Sequence, residues 1–492
     1  MIGATRRSEE VSPEGLRRRV ADLLAEGRRL ALVAAHDDGD ALRVVYLFTS
    51  GAPDERVELT LRLDPGHPTV PSLSGLSFSA SRFEREMRDS YGVEPEGHPF
   101  LRPLVRHQHW PEGWYPMRRG ADRMPAPPTE TTSYPFVEVR GTGVYEIPVG
   151  PVHAGLIEPG HFRFSVVGET ILKMTARLWY VHRGVERMFH GEEPAAGIAI
   201  AERISGDSAV AHSLAFCLAV EEAQGLDVSP EARNLRSLLV EMERLVHHVE
   251  DVGALCNDVS FAVAHARAMV VREKLLRLNE ALTGHRLLRG ALGVGSTRVR
   301  TLPSEATMRE IADAFEDVVS LAVSHSVVVD RFEGTATLAR SDAAALGTVG
   351  PVARASGLEF DARRDHPLVA GHFTPVTQSA GDVLARFTQR VEEFRASIDL
   401  VISRVRDATR TESPPPSPRD ARGSGVGLVE GWRGVVAHRV ELDRGGRLTR
   451  VRVVDPSFFN WPALAVALTD TIVPDFPLTN KSFNLSYAGN DL

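Results

Sequence analysis

Residues 234–256 read NLRSLLVEMERLVHHVEDVGALC, and Leu235, Leu238, Leu239, Met242, Leu245, Val246 and Val249 recur every three or four positions. That period lays one apolar stripe along a helix, and such a stripe has to be covered by another element. The pattern is strongly helical from Ile171 to about Ser341, and several such helices in succession predict a bundle.

The bundle is flanked by segments of a different kind. ALRVVYLF (41–48) and VELTLRL (57–63) are strand-like, with Gly51, Pro53 and Asp54 as turn residues between them. The polar segment 79–92 suits a helix, and 98–120 is rich in proline, tryptophan and arginine without a period, as expected of an extended arm lying on another surface. A proline- and threonine-rich break, MPAPPTETTSYP (124–135), predicts a linker between domains. A second break at 409–425 reads as a flexible loop, and GVVAHRVELDRGGRLTRVRVV beyond it as a hairpin turning at Gly445–Gly446. Residues 456–492 show no long periodic element. The expected class is α+β, with a small α/β domain over residues 1–123 and a mostly helical domain with short β elements over 136–492.

A net charge of −8 argues against a nucleic-acid partner, which needs a positive field. The first residues form a charged amphipathic pattern without the apolar core of a signal peptide, and no stretch reaches the roughly 18–20 apolar residues of a membrane span. The expected location is therefore cytoplasmic, with any membrane association made through partners. Cys217 and Cys256 form no CxxC pair and read as small core residues. The glycines of GALGVGS (290–296) follow no strand, and His107 with His109, or His247 with His248, lack the further ligands of a zinc site.

A series of motifs carries a family resemblance. GPVHAGLIEPGHFRF (150–164), YVHRGVERMFHG (180–191), AHSLAFCLAVEEAQG (211–225), EMERLVHHV (241–249), RASGLEFDARRDHP (354–367) and WPALAVALTDTIVPDFPL (461–478) resemble, in order, the large subunits of formate hydrogenlyase and hydrogenase-4. FEREMRDSYGV (83–93) with HPFLRPL (98–104) resembles the 30-kDa-type subunit of complex I, and this fusion is typical of the formate hydrogenlyase subunit. The resemblance implies a complex I 30-kDa-type domain followed by a 49-kDa or nickel–iron hydrogenase large-subunit-like domain.

In that family two CxxC pairs hold nickel and iron. The resemblance places the ligand positions at Ser205 and Ser208 in RISGDSAVAHS, and at Ser486 and Gly489 in KSFNLSYAGNDL. Soft, bridging thiolates hold these metals; a serine hydroxyl is hard and far less acidic, and glycine offers no side chain. No metal ligand is therefore expected here. The chain stops at Leu492, which the resemblance reads as having no extension to be processed on nickel insertion.

The remaining candidates are assigned by the same resemblance. Glu158 matches a proton-passing glutamate, with a hydrogen-bonded structural acid as the equal alternative, and His161 is expected near the cavity. Arg433 matches an arginine over the metals, able to bind an anion or a carbonyl, or else to pair with Glu158 or Asp207. Ser205, Asp207 and Ser208 line a cavity or simply cap a helix; Ser486 and Tyr487 complete the set, with Tyr487 as a hydroxyl donor to a possible quinone. Glu241, Arg244 and His248 share a helix face and are expected to form a buried polar network, the alternative being a solvated face. The implied partners are an iron–sulfur small subunit that holds a four-iron–four-sulfur cluster, antiporter-like membrane subunits and ferredoxin-like subunits. The implied function is electron transfer to quinone or another acceptor without a nickel–iron centre, with a non-catalytic scaffold and, disfavoured, a working hydrogenase as alternatives.

Overall fold

The computed structural model describes residues 4–121, 123–128, 133–154, 157–408, 411–413, 416–418 and 422–492. The amino-terminal part runs β1 (Thr5–Glu10), α1 (Pro13–Ala25), β2 (Arg29–Asp37), β3 (Leu42–Ser50), β4 (Glu55–Leu63) and α2 (Phe78–Tyr91). Its four-stranded sheet has the order β1-β4-β3-β2, antiparallel except where β1 lies parallel to β4. Both expected strands are present, and the polar segment after them is helix α2.

This unit is joined firmly to the rest. Phe83 of α2 stacks on Phe458 at 4.6 Å, Arg439 reaches Glu58 at 2.9 Å, and Arg452 reaches Glu86 at 2.6 Å. One buried apolar cluster runs without a break from Leu16 and Phe48 to Phe458 and Leu464. The segment 98–120 does lie as an arm across the neighbouring part: Arg177 donates to the Arg106 carbonyl at 2.6 Å, and the His107 ring meets the Leu178 carbonyl at 3.1 Å.

Beyond the arm come β5 (Val144–Val149), β6 (His161–Val167) and β7 (Thr170–Arg177), an antiparallel sheet. The helical region therefore does not begin at Ile171. Gly168, at φ +59°, turns the chain so that Thr170 pairs with Val167, and Ile171 lies in a strand. The helices that position the site are α3 (Ala209–Gln224), α4 (Pro230–Asp258), α5 (Ala262–Thr283), α6 (Glu305–Val323) and α7 (Val383–Asp407). Leu235, Leu239, Met242 and Val249 of α4 are buried in their shared core, as the stripe predicts.

A third sheet, β8 (Ser424–Gly431), β9 (Gly434–Leu442) and β10 (Leu448–Val454), carries α3 across its face. Gly425, Gly427 and Gly431 face Ala219, Ala215 and Ala211 of α3, and a methyl group on Gly425 or Gly427 would collide with the Ala219 or Ala215 carbonyl. Small residues on both elements thus set how close helix and sheet come. The expected hairpin is β9–β10. Residues 409–410, 414–415 and 419–421 of the expected loop and residues 129–132 of the linker lie outside the described residues; within the described part, Ser417–Pro418 pair with Leu226–Asp227, and Ser424 and Gly425 already belong to β8. Residues 456–492 do form helices: α8 (Pro456–Ala467), α9 (Phe476–Phe483) and α10 (Tyr487–Asp491). Helix α8 is buried nearly all round, so it presents no polar face and no period to read.

Candidate functional site

The turn ISGDS before α3, the turn between β8 and β9, and the start of α10 converge on one place. Ser205 Oγ lies 2.8 Å from Ser486 Oγ and donates to Asp207 Oδ1 at 2.7 Å. Ser486 caps α10, accepting from the Gly489 N–H at 2.8 Å. An ideal Cβ on Gly489 would fall 2.5 Å from the Asp455 carboxylate. That carboxylate is held by the Ser457 N–H at 2.7 Å and by His212 at 3.0 Å, and His212 in turn meets His438 at 3.1 Å. All three of Asp455, His212 and His438 are buried. Burial would raise the Asp455 carboxyl, but His212, Arg433 and Ser457 together hold the group below the ordinary carboxylate range; burial and then His212 push His438 well below the usual histidine value.

Arg433 is the hub of the cluster. It grips Asp207 with two nitrogens, at 2.8 and 2.6 Å, donates to the Asn484 carbonyl at 2.6 Å, and has Ser208 Oγ at 3.4 Å. Of its five N–H groups, four are engaged. The carboxyl of Asp207, which burial alone would raise, sits well below its ordinary range because Arg433 is beside it. Trp432 is sandwiched, with the Arg433 guanidinium 3.8 Å from its ring centre and His247 stacked 4.7 Å away on α4, and it donates to the Asp207 carbonyl at 2.8 Å. Arg433 therefore pairs with Asp207 and not with Glu158. Glu158 accepts instead from the Ala488 N–H at 3.0 Å, at the first turn of α10.

Ser208 is the residue preceding α3, yet its side chain makes no capping bond. The work falls to Glu243 of α4, whose carboxylate accepts from the Val210 and Ala211 N–H groups at 2.7 and 3.1 Å. Burial, offset in part by those two bonds, pushes Glu243 up to about 7. Tyr487 packs its ring against Trp461 at 4.9 Å, and burial pushes its phenol up to about 12. His161 stands apart from this group, bonded to the Gly150 carbonyl at 3.2 Å beside Phe136.

Glu241, Arg244 and His248 are buried and connected, not solvated. Arg244 reaches Glu241 at 3.0 Å, and His248 reaches Glu393 of α7 at 3.3 Å. Arg354 then bridges Glu393 at 2.9 Å and Glu430 at 2.8 Å. Arg354 opens the motif at 354–367, but Glu393 and Glu430 carry no sequence signal, because they join the triplet only through tertiary packing.

As a donor set the four positions are a poor match to nickel and iron. Two hydroxyls are hydrogen-bonded to each other, a third lies against a guanidinium, and the space beside Gly489 is filled by a hard carboxylate. Cys217 and Cys256 are buried elsewhere, and burial pushes the Cys256 thiol up to about 12. Among the described residues no group of three or more His, Cys, Asp or Glu side chains is placed to hold a metal ion.

Three families described as respiratory-chain NADH dehydrogenase 30 Kd subunit, nickel-dependent hydrogenase, and respiratory-chain NADH dehydrogenase 49 Kd subunit match residues 10–124, 183–252 and 258–414. Formate hydrogenlyase subunit 5 of Escherichia coli (strain K12) is 30% identical, over 91% of this chain and 81% of its own length. Hydrogenase-4 component G of the same strain is 32% identical, over 90% of this chain and 80% of its own. This chain belongs to the formate hydrogenlyase and hydrogenase-4 large-subunit family. The family's tie to complex I is visible in the C/D subunit of the NADH-quinone oxidoreductase of Phocaeicola vulgatus, 28% identical over 80% of this chain and 82% of that one. A chain of the membrane-bound sulfane sulfur reductase, an archaeal respiratory membrane complex, shares the family fold, with a TM-score of 0.63 at 23% identity over 71% of this chain and 99% of its own. Among the described residues, no helix of this family member is long and apolar enough to cross a membrane.

Proposed function

We propose that this chain is the large subunit of a membrane-associated, complex-I-like oxidoreductase in which it works beside an iron–sulfur small subunit without a nickel–iron centre. Electrons from a four-iron–four-sulfur cluster in that partner pass to quinone or another acceptor at the Ser205–Asp207–Ser486 site. Antiporter-like and ferredoxin-like subunits complete the complex, which holds this chain at the cytoplasmic face of the membrane.

The observation that carries the reading is the hydroxyl contact between Ser205 and Ser486, with the Asp455 carboxylate filling the space beside Gly489. Neither arrangement leaves a soft donor for a metal, yet the cluster remains polar. Among the described residues, one N–H of Arg433 has no partner and can donate to a developing oxyanion. Glu158, at the edge of the cluster, is the group positioned to exchange a proton with solvent. His161, bonded to the Gly150 carbonyl, holds the start of β6 against the end of β5.

The engagement of Arg433 by Asp207, Ser208 and Asn484 also favours a second reading, a non-catalytic scaffold whose polar groups satisfy one another. Purified complex assayed for quinone-dependent turnover decides between them. Electron transfer predicts turnover that is lost in Glu158→Gln and Arg433→Ala; a scaffold predicts that both variants match the parent.

A further inference from the structure

A cleft of ≈ 590 Å³ opens beside the Asp207–Trp432 edge of the site, between the end of α4, helix α5, the turn after α5 and helix α9. Its volume falls within the range of small-molecule sites. Arg272, Arg286, Arg289 and Lys481 line it together with His247 and His285. Two acids face it, Asp207 and Glu250, and both are spent on other partners. Asp207 is held by Arg433. Glu250 lies 3.1 Å from Arg272 and 3.4 Å from His247.

That leaves Arg286, Arg289 and Lys481, none of which has a carboxylate within 4.0 Å among the described residues. The acids that face them at longer range are Asp258, which feels the charge of Lys481, and Glu202, which faces His285 and accepts from the Gly290 N–H at 2.6 Å. The Arg289 guanidinium packs against the ISGDS turn, 3.8 Å from where a Gly206 Cβ would lie, and its Nε is buried with no hydrogen-bond partner among the described residues. A buried donor of this kind is costly unless something accepts from it. His285 reports the same excess of positive charge, because burial and then Arg289 and Arg286 push it below the ordinary histidine value.

We propose that this cleft is a binding site for a small oxyanion bearing at least two negative charges, held between Arg286, Arg289 and Lys481. A compact ligand is favoured over an acidic protein surface because the three cations line one concave space and one of their donors, Arg289 Nε, is buried. The site stands independently of electron transfer, since it needs only the cations and the shape.

Calorimetric titration of the purified full chain with sodium pyrophosphate at low ionic strength tests it. Saturable one-to-one binding is expected, weakening as salt is added. Arg286→Gln and Arg289→Gln should each weaken binding about tenfold, the loss of one charge-assisted hydrogen bond. Arg277→Gln on the exposed face of α5, where Arg277 pairs with Glu273 at 2.8 Å, should bind as the parent does. Arg286 is exposed, so its variant keeps the fold and its titration remains interpretable. Absence of saturation, parental affinity in both cleft variants, or saturable binding of poly-glutamate with none of pyrophosphate would overturn the proposal.

Discussion

Ser205 and Ser486 are 281 positions apart in the chain and share a hydrogen bond of 2.8 Å. The two turns that meet there are those to which the family resemblance assigns metal-binding cysteine pairs. Their meeting is built into the fold: α3 follows the first turn, α10 follows the second, and Arg433 reaches both through Asp207 and Asn484.

The fit of Asp455 beside Gly489 predicts a steric cost. Gly489→Ala should destabilise the chain by about 1–3 kcal/mol, as overpacking of a buried site does, read from urea unfolding midpoints at constant m-value. Gly206→Ala, whose nearest neighbour is 3.8 Å away, should stay within about 0.5 kcal/mol of the parent. Equal stability of the two variants would mean that the space beside Gly489 is open.

Glu243 gives a pH dependence of definite sign. Its folded pKa is pushed up to about 7 from an ordinary value of 4.5, so the folded state binds this proton more tightly than the unfolded state. The stability it contributes is full below about pH 4.5 and is lost as pH rises through about 7, a change on the order of 1–3 kcal/mol. Chemical denaturation between pH 4.5 and 8 should show that slope, and Glu243→Gln should flatten it. A variant with the parent's slope would place the titration elsewhere.

Glu393 ties Arg354 to His248, at 2.9 and 3.3 Å, with all three side chains fully buried. Glu393→Ala takes one carboxylate from buried Arg354, which keeps Glu430 at 2.8 Å, and leaves His248 without its carboxylate, so it should cost about 1–3 kcal/mol in thermal or denaturant unfolding. A loss under about 1 kcal/mol would show that water reaches Arg354.

Much of the fold is legible in the chain because it follows local rules. The stripe through Leu235, Leu239 and Met242 puts α4 in a bundle, and Gly445–Gly446 marks the β9–β10 hairpin. Pairings between distant segments are not legible. Asp455 caps α8, but nothing near it in the chain shows that its carboxylate also bonds His212 and backs Gly489. Ser208 looks like a helix cap, and only tertiary packing reveals that Glu243 does that work. The strand at Ile171 is hidden because alternation over eight residues is easily taken for the start of the helices behind it.

Hydroxyls and a carboxylate stand where the family resemblance expects thiolates, and the functional reading depends on that difference. Nickel measured by mass spectrometry on the purified complex, with hydrogen evolution followed in the same sample, tests it most directly. Nickel far below one atom per chain and no hydrogen evolution are predicted; one nickel per chain with hydrogen evolution would contradict it.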